Sequence, residues 1–310
     1  MKAPPTSLQR ALHSLRGLTI GDQFGELFFV EPDAFDAAVA QRRVPGSPWQ
    51  YTDDTEMGLS VVAVLRAHGE IQQDELMQRF AQHHDMSRGY GPSMRRVLAD
   101  VRSGADWRSV IATAFEGQGS YGNGAAMRVG PLGAFFAPDL QTCVRQAELS
   151  SLTTHTHPEA VAGAIAVAIA AALAWRVHEH PAFQETFLED VASWVPESEV
   201  RSRLLRAARL PGTMAPEVAG AVLGNGQQLT AQDTVPFALW CASRQLSDYE
   251  TALWWGVSAG GDRDTICAIV GSVVALSSTT AIPAQWLAEQ EPFPEWFTSS
   301  GLSDEFKESP

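Results

Sequence analysis

Cysteine is scarce. There are three in 310 residues, Cys143, Cys241 and Cys267, far apart and odd in number. That excludes a disulfide framework and a Cys-X-X-Cys zinc site, and it fits a reducing, cytoplasmic setting. Basic residues are few as well: Lys and Arg number 22 against 36 Asp and Glu, a formal net charge of -14. Such a chain is a poor match for nucleic acid, whose binding draws on clustered cations. A small anionic ligand stays within reach if local amides, helix ends or a metal ion supply the positive field. Long apolar runs are rare, and the best membrane candidate, AVAGAIAVAIAAALAW at residues 160–175, is Ala-rich. It is shorter than the roughly 20 residues needed to cross a bilayer, so it reads as a buried core helix. The opening MKAPPTSLQRALHSLRGL places prolines and arginines where a signal peptide carries its apolar stretch.

Strictly alternating strands and Gly-, Ser- or Pro-rich linkers are also hard to find. The first lack points away from sheet and the second away from a division into halves, which leaves an all-α chain read as one unit over residues 1–310. Its acidic end, SDEFKESP, reads as a frayed tail. Helical spacing of apolar residues marks runs near 7–29, 55–68, 73–84, 92–102, 107–115, 140–149, 158–178, 184–193, 198–208, 215–223, 234–243, 248–259 and 264–277. In the first run Gly17, Gly21 and Gly25 recur every fourth position, so one stripe lacks side chains and admits either another backbone or a ligand. VPGSPWQ before Tyr51 and EGQGSYGNGAAMRVGPLG around Gly122 are the clearest loops.

Two stretches concentrate charge ahead of apolar runs: YTDDTEM, with Thr52, Asp53 and Asp54, and AGGDRDT, with Asp262, Asp264 and Thr265. One Asp or Thr suffices to cap a helix. Each stretch brings two carboxylates with hydroxyls, and neighbouring buried carboxylates repel unless a cation lies between them. Asp262 and Asp264 are two apart, so they face one point only in a turn, which Gly260 and Gly261 permit. Oxygen-only donors suit Mg²⁺ or Mn²⁺ better than zinc. From spacing alone, capping and metal binding both stay open.

The chain resembles the ADP-ribosylglycohydrolase family, relatives of the dinitrogenase reductase-activating glycohydrolase and of ADP-ribosyl-arginine and ADP-ribosyl-serine hydrolases. GLTIGDQFGE, YTDDTEM, RGYGPSMRR, GNGAAMRVGPLG, TTHTHPEA, GGDRDT and IPAQW carry the resemblance, in family order over residues 14–288. It implies a single orthogonal helical domain with a binuclear Mg²⁺ or Mn²⁺ centre in a central cleft. The implied metal ligands are Thr52, Asp53, Asp54, Asp262, Asp264 and Thr265. The implied substrate contacts are Tyr90, Gly91, Gly122, Asn123, Gly124, Met127, His155, Gly260 and Gly261, with backbone amides of the GNG turn near the ADP-ribose phosphates. Arg128 belongs to the same motif and packs or braces it. His157, ahead of Pro158, serves the start of a helix.

This sequence departs from the family where many relatives carry a glutamate eight residues after the glycine of the GD motif: Phe29 stands there, and Glu26 lies one turn back as a substitute carboxylate. Gly89, in the RGYG loop, replaces an aspartate of the arginine-specific relatives. The implied activity is hydrolysis of the bond between the distal ribose and an acceptor on an ADP-ribosylated protein or a small conjugate. Asp53, Asp54, Asp262 and Glu26 are the catalytic candidates, one of them taking the proton of the attacking water. The rival is an ADP-ribose-binding or immunity-type protein with the same pocket and little turnover. A two-metal phosphoesterase is a third reading. The acceptor and the oligomeric state stay open.

Overall fold

A computed structural model describes residues 5–177 and 181–299. The tail SDEFKESP lies outside them. The helices in chain order are α1 (Ser7–Glu26), α2 (Pro32–Ala40), α3 (Asp53–His68), α4 (Gln73–His83), α5 (Pro92–Arg102), α6 (Trp107–Thr113), α7 (Gly130–Phe135), α8 (Leu140–Leu152), α9 (Pro158–Val177), α10 (Phe187–Trp194), α11 (Glu199–Ala208), α12 (Pro216–Leu223), α13 (Ala231–Arg244), α14 (Tyr249–Ser258), α15 (Arg263–Val274), α16 (Ala284–Glu289) and α17 (Glu295–Thr298). No strand occurs among the described residues, so the chain is all-α; two isolated bridges, Trp49 to Gln290 and Gly122 to Thr230, tie loops together. Every run marked by apolar spacing is a helix. The short α2, α7, α16 and α17 lie outside those runs.

The Ala-rich α9 forms the centre, with α7, α8, α10, α13 and α15 packed around it. By length and apolarity alone it could cross a membrane, yet 78% of that window is buried inside the fold. Its small side chains let neighbours come close: a Cβ at Gly133 of α7 would lie 2.0 Å from the Ala168 carbonyl oxygen. One apolar cluster, from Ile20 and Phe24 through α9 to Trp240, Val270 and Trp286, joins these helices. Pro236 sits inside α13 and cannot bond back to Gln232. The freed Gln232 carbonyl instead accepts a hydrogen bond from Arg203 Nη1 at 3.1 Å.

The glycine stripe of α1 meets a backbone. Cβ atoms at Gly17, Gly21 and Gly25 would lie 2.3, 2.0 and 2.3 Å from the carbonyl oxygens of Gly271, Cys267 and Arg263. Thus α1 and α15 lie against each other along their length, which sets Asp22 of α1 beside the start of α15. The first helix is shorter than its apolar run suggests: it ends at Glu26, with Leu27 as C-cap. Phe29 is therefore off the helix and shares no face with Glu26. It is half exposed, its ring 5.0 Å from the Arg263 guanidinium.

Candidate active site

Both charged stretches open helices. Thr52 caps α3, its hydroxyl accepting from the Asp54 amide, and Asp262 occupies the N-cap position of α15. Gly260 and Gly261 adopt φ of +68° and +67°, the left-handed region a side chain resists. That tight turn lets Asp262 and Asp264 face each other within hydrogen-bonding reach. A second Gly-Asn-Gly loop, residues 224–226, buttresses it: the Asn225 carbonyl accepts from the Asp262 amide at 3.0 Å, and Asn225 Nδ2 donates to the Ala259 carbonyl at 2.9 Å.

Between the two helix starts stands a residue that the motif reading left out. Asp22, Asp54 and Asp264 each bring a carboxylate oxygen within 4.8 Å of the others. Asp22 is buried and accepts from the hydroxyls of Thr52 at 2.8 Å and Thr55 at 2.6 Å. Thr52 Oγ1 also lies 3.1 Å from Asp54 Oδ2, and Thr265 Oγ1 approaches the same oxygen at 3.4 Å. These hydroxyls leave Asp54 Oδ1 and Asp264 Oδ1 buried without a hydrogen-bond partner. Among the described residues no Lys, Arg or His forms an ion pair with Asp22, Asp53, Asp54, Asp262 or Asp264.

Burial and mutual repulsion dominate the electrostatics. Asp22 is pushed up to about 7, chiefly by burial and further by the charge of Asp264, against its hydrogen bonds from Thr55 and Thr52. Burial followed by neighbouring carboxylates drives Asp53, Asp54 and Asp262 well above the carboxylate range, and burial raises Asp264. Glu26, exposed at the end of α1 with its carboxyl partly desolvated, is raised to about 7 by that desolvation and by Asp264. Orphaned buried oxygens, an oxygen-only donor set and carboxylates unable to ionise together are what a divalent hard cation would relieve. The residues present fit such an ion.

Asp53, Asp262 and Asp264 line a cleft of about 440 Å³, whereas Asp22, Glu26 and Asp54 do not. Its walls include Asp53, Asp262, Asp264 and Thr265, then Gly91, Gly122, Asn123, Gly124, Met127 and His155. Exposed Phe115, Tyr121 and Leu229 give it an apolar part. Asn123 Nδ2 donates to Asp262 Oδ2 at 2.6 Å and to Thr234 Oγ1 at 2.9 Å, so this side chain orients a carboxylate. The amides of Gly122 and Asn123 already donate to Ser120 Oγ and the Leu229 carbonyl. Contrary to the sequence expectation, those two amides are not free for phosphate. The glycines contribute shape instead, since a Cβ at Gly124 would lie 3.0 Å from the His155 ring.

Three further expectations are corrected. Tyr90 is not a cleft aromatic: it is buried, and its hydroxyl donates to Glu56 Oε2 at 2.7 Å. Gly260 and Gly261 shape the turn and do not line the cleft. Thr52 supports Asp22 and Asp54 from behind the cleft wall. His157 does serve its helix, its Nδ1 accepting from the Glu159 amide at 3.1 Å. Arg88 ties the α3 start to the segment after α16: its guanidinium lies 3.8 Å over Tyr51, bonds Glu291 at 2.8 Å, and its carbonyl accepts from the Asp53 amide at 2.7 Å.

The sequence model of the ADP-ribosylglycohydrolase family matches residues 3–309. The chain is 29% identical to ADP-ribosylhydrolase ARH3 of Bos taurus over 93% of its own length and 90% of that protein. It is 28% identical to the Homo sapiens protein of the same name over 93% and 91%. A solved structure described as an ADP-ribosylglycohydrolase-related protein complex shares the fold, with a TM-score of 0.63 at 24% identity over 92% of this chain and 93% of that one. With its sequence matched almost end to end, its helices arranged likewise, and its aspartates gathered on one cleft, this chain belongs to the ADP-ribosylglycohydrolase family.

Proposed function

We propose that this chain is a metal-dependent hydrolase that cleaves the glycosidic bond between ADP-ribose and an acceptor, releasing ADP-ribose. Family membership supports hydrolysis of ADP-ribose conjugates in general. The observation that carries the finer reading is the meeting of Asp22, Asp54 and Asp264, from three helices, with two orphaned oxygens. These three would hold one Mg²⁺ or Mn²⁺; Asp53, Asp262 and Thr265 on the cleft wall would hold a second. When bound, such ions supply Lewis acidity and lower the pKa of a coordinated water.

The chain's own residues do the rest. Asp53 and Asp262 border the cleft and place negative charge where positive charge grows on the ribose carbon. Glu26, at the end of α1 within reach of the charge of Asp264, would accept the proton of the attacking water, although it does not line the cleft itself. His155 and the bare edges of Gly122 and Gly124 shape the wall against which the ligand rests. Phe115, Tyr121 and Leu229 offer an apolar seat for a flat base. The cleft, at about 440 Å³, falls in the ordinary range for small-molecule sites.

The test is product identification by mass spectrometry with ADP-ribosyl-arginine, ADP-ribosyl-serine and O-acetyl-ADP-ribose, each with Mg²⁺, Mn²⁺ or EDTA. Metal-dependent release of free ADP-ribose from at least one supports the proposal and names the acceptor class. AMP as product would replace it with phosphoester chemistry. Binding of ADP-ribose without turnover of any conjugate would favour the non-catalytic binding protein.

A further inference from the structure

Arg128 is fully buried, and no carboxylate forms an ion pair with it among the described residues. Its guanidinium lies 4.8 Å from the Phe80 ring centre and donates to the Gly124 carbonyl at 2.9 Å, the Ser150 carbonyl at 2.7 Å and Thr154 Oγ1 at 2.9 Å. Arginine only donates, so the direction of the last bond is fixed and Thr154 Oγ1 accepts. Thr154 lines the cleft yet is only 2% exposed, and among the described residues the remaining hydrogen-bond neighbour of its hydroxyl is Nδ1 of His155 at 2.7 Å. If Nδ1 carried a proton, the threonine hydrogen would be left in a buried place with no acceptor, a costly arrangement. The hydroxyl therefore donates, Nδ1 keeps its lone pair, and the proton of the neutral ring sits on Nε2.

Nε2 is the edge that meets the cleft. His155 lines it, and Cβ atoms at Gly122 and Gly124 would lie 3.3 and 3.1 Å from this nitrogen. Among the described residues Nε2 has no hydrogen-bond partner, although His155 is only 7% exposed. We propose that Arg128 and Thr154 are positioning residues that lock His155 as the neutral Nε2–H tautomer, so that it offers one fixed hydrogen-bond donor to an acceptor oxygen of the bound ligand. Burial, then the charge of Arg128, hold the His155 ring down to about 3, in keeping with a ring that stays neutral. His155 then reads the ligand and does not shuttle protons. The ligand half of this inference rests on the proposed ADP-ribose chemistry; the tautomer does not.

Two measurements on the full-length protein decide it. Long-range proton–nitrogen NMR spectra of the imidazoles, with His155 assigned through His155→Gln, should show Nε2 protonated and Nδ1 bare near neutral pH. A ring protonated on Nδ1, or on both nitrogens, overturns the proposal. Calorimetric ADP-ribose binding should weaken about tenfold in Thr154→Val and stay within about twofold of the parent in Thr154→Ser, which keeps the hydroxyl. Melting curves confirm that both variants are folded. Equal weakening in both, or none in either, overturns the positioning role. Failure of the parent protein to bind ADP-ribose would instead remove the proposed function, while the spectra still decide the tautomer.

Discussion

Asp264 shows how far one carboxylate can be pulled between folding and function. It is half-buried beside Asp22, Asp54 and Asp262, with one buried oxygen unpartnered. Asp264→Asn keeps the shape and removes a charge that its neighbours repel. Chelator-treated Asp264→Asn should therefore melt a few degrees above the parent. Its turnover of a cleavable conjugate should fall on the order of a hundredfold or more, because a bound cation that lacks one of its carboxylates is no longer held in the position the reaction needs. Differential scanning fluorimetry with EDTA checks the first effect and steady-state kinetics at saturating metal the second. A variant less stable than its parent and equally active would contradict both. At this scale the sequence was partly legible: TDDT and GGDRDT announce themselves because two carboxylates exceed what one helix cap needs. Asp22 does not, being a single aspartate between Gly21 and Gln23 whose meaning appears only once α3 and α15 lie against α1. Tyr90 misleads for the opposite reason. Its glycine-flanked loop reads as exposed, and its acceptor, Glu56, is hidden inside α3.

Among the helices, the contact of α1 with α15 decides whether the acids meet. Gly21 is its tightest point, with a built Cβ 2.0 Å from the Cys267 carbonyl oxygen, and Asp22 is the next residue. Gly21→Ala should cost about 1–3 kcal/mol or more, since a methyl pressed on a backbone carbonyl forces the helices apart. It should also lower turnover by separating Asp22 from Asp264. Gly91→Ala is the control. That position has ordinary φ, and nothing lies within 4 Å of an added Cβ, so stability should stay within about 0.5 kcal/mol. Urea unfolding of both variants checks the contrast, and equal stability would refute the role given to the stripe. The four-residue glycine repeat was visible in the sequence, but it admitted a ligand as readily as a backbone; only the partner helix settles which. Short α7 escaped because Gly130, Pro131 and Gly133 read as part of a loop.

For the molecule as a whole, the desolvated acids link stability, pH and metal. Asp22 moves from an ordinary 3.8 to about 7 on folding, and Glu26 from 4.5 to about 7. Groups raised in this way contribute most below their unfolded values, and that contribution is lost as pH rises through about 7. The metal-free protein should thus lose stability between about pH 4 and about pH 7 on account of these groups. A bound divalent ion favours the ionised forms, so the gain in melting temperature from added Mg²⁺ or Mn²⁺ should grow from about pH 5 to about pH 7.5. A gain that does not change with pH would mean that the ion binds elsewhere.

The most direct measurement is calorimetric titration of Mn²⁺ into chelator-treated protein near neutral pH, with the parent and Asp54→Asn side by side. Saturable binding in the parent, weakened at least about tenfold in the variant, is the predicted result, because Asp54 joins the starts of α3 and α15 through Thr52 and Thr265. No binding by the parent, or identical curves for the two proteins, would contradict a metal centre built from these aspartates.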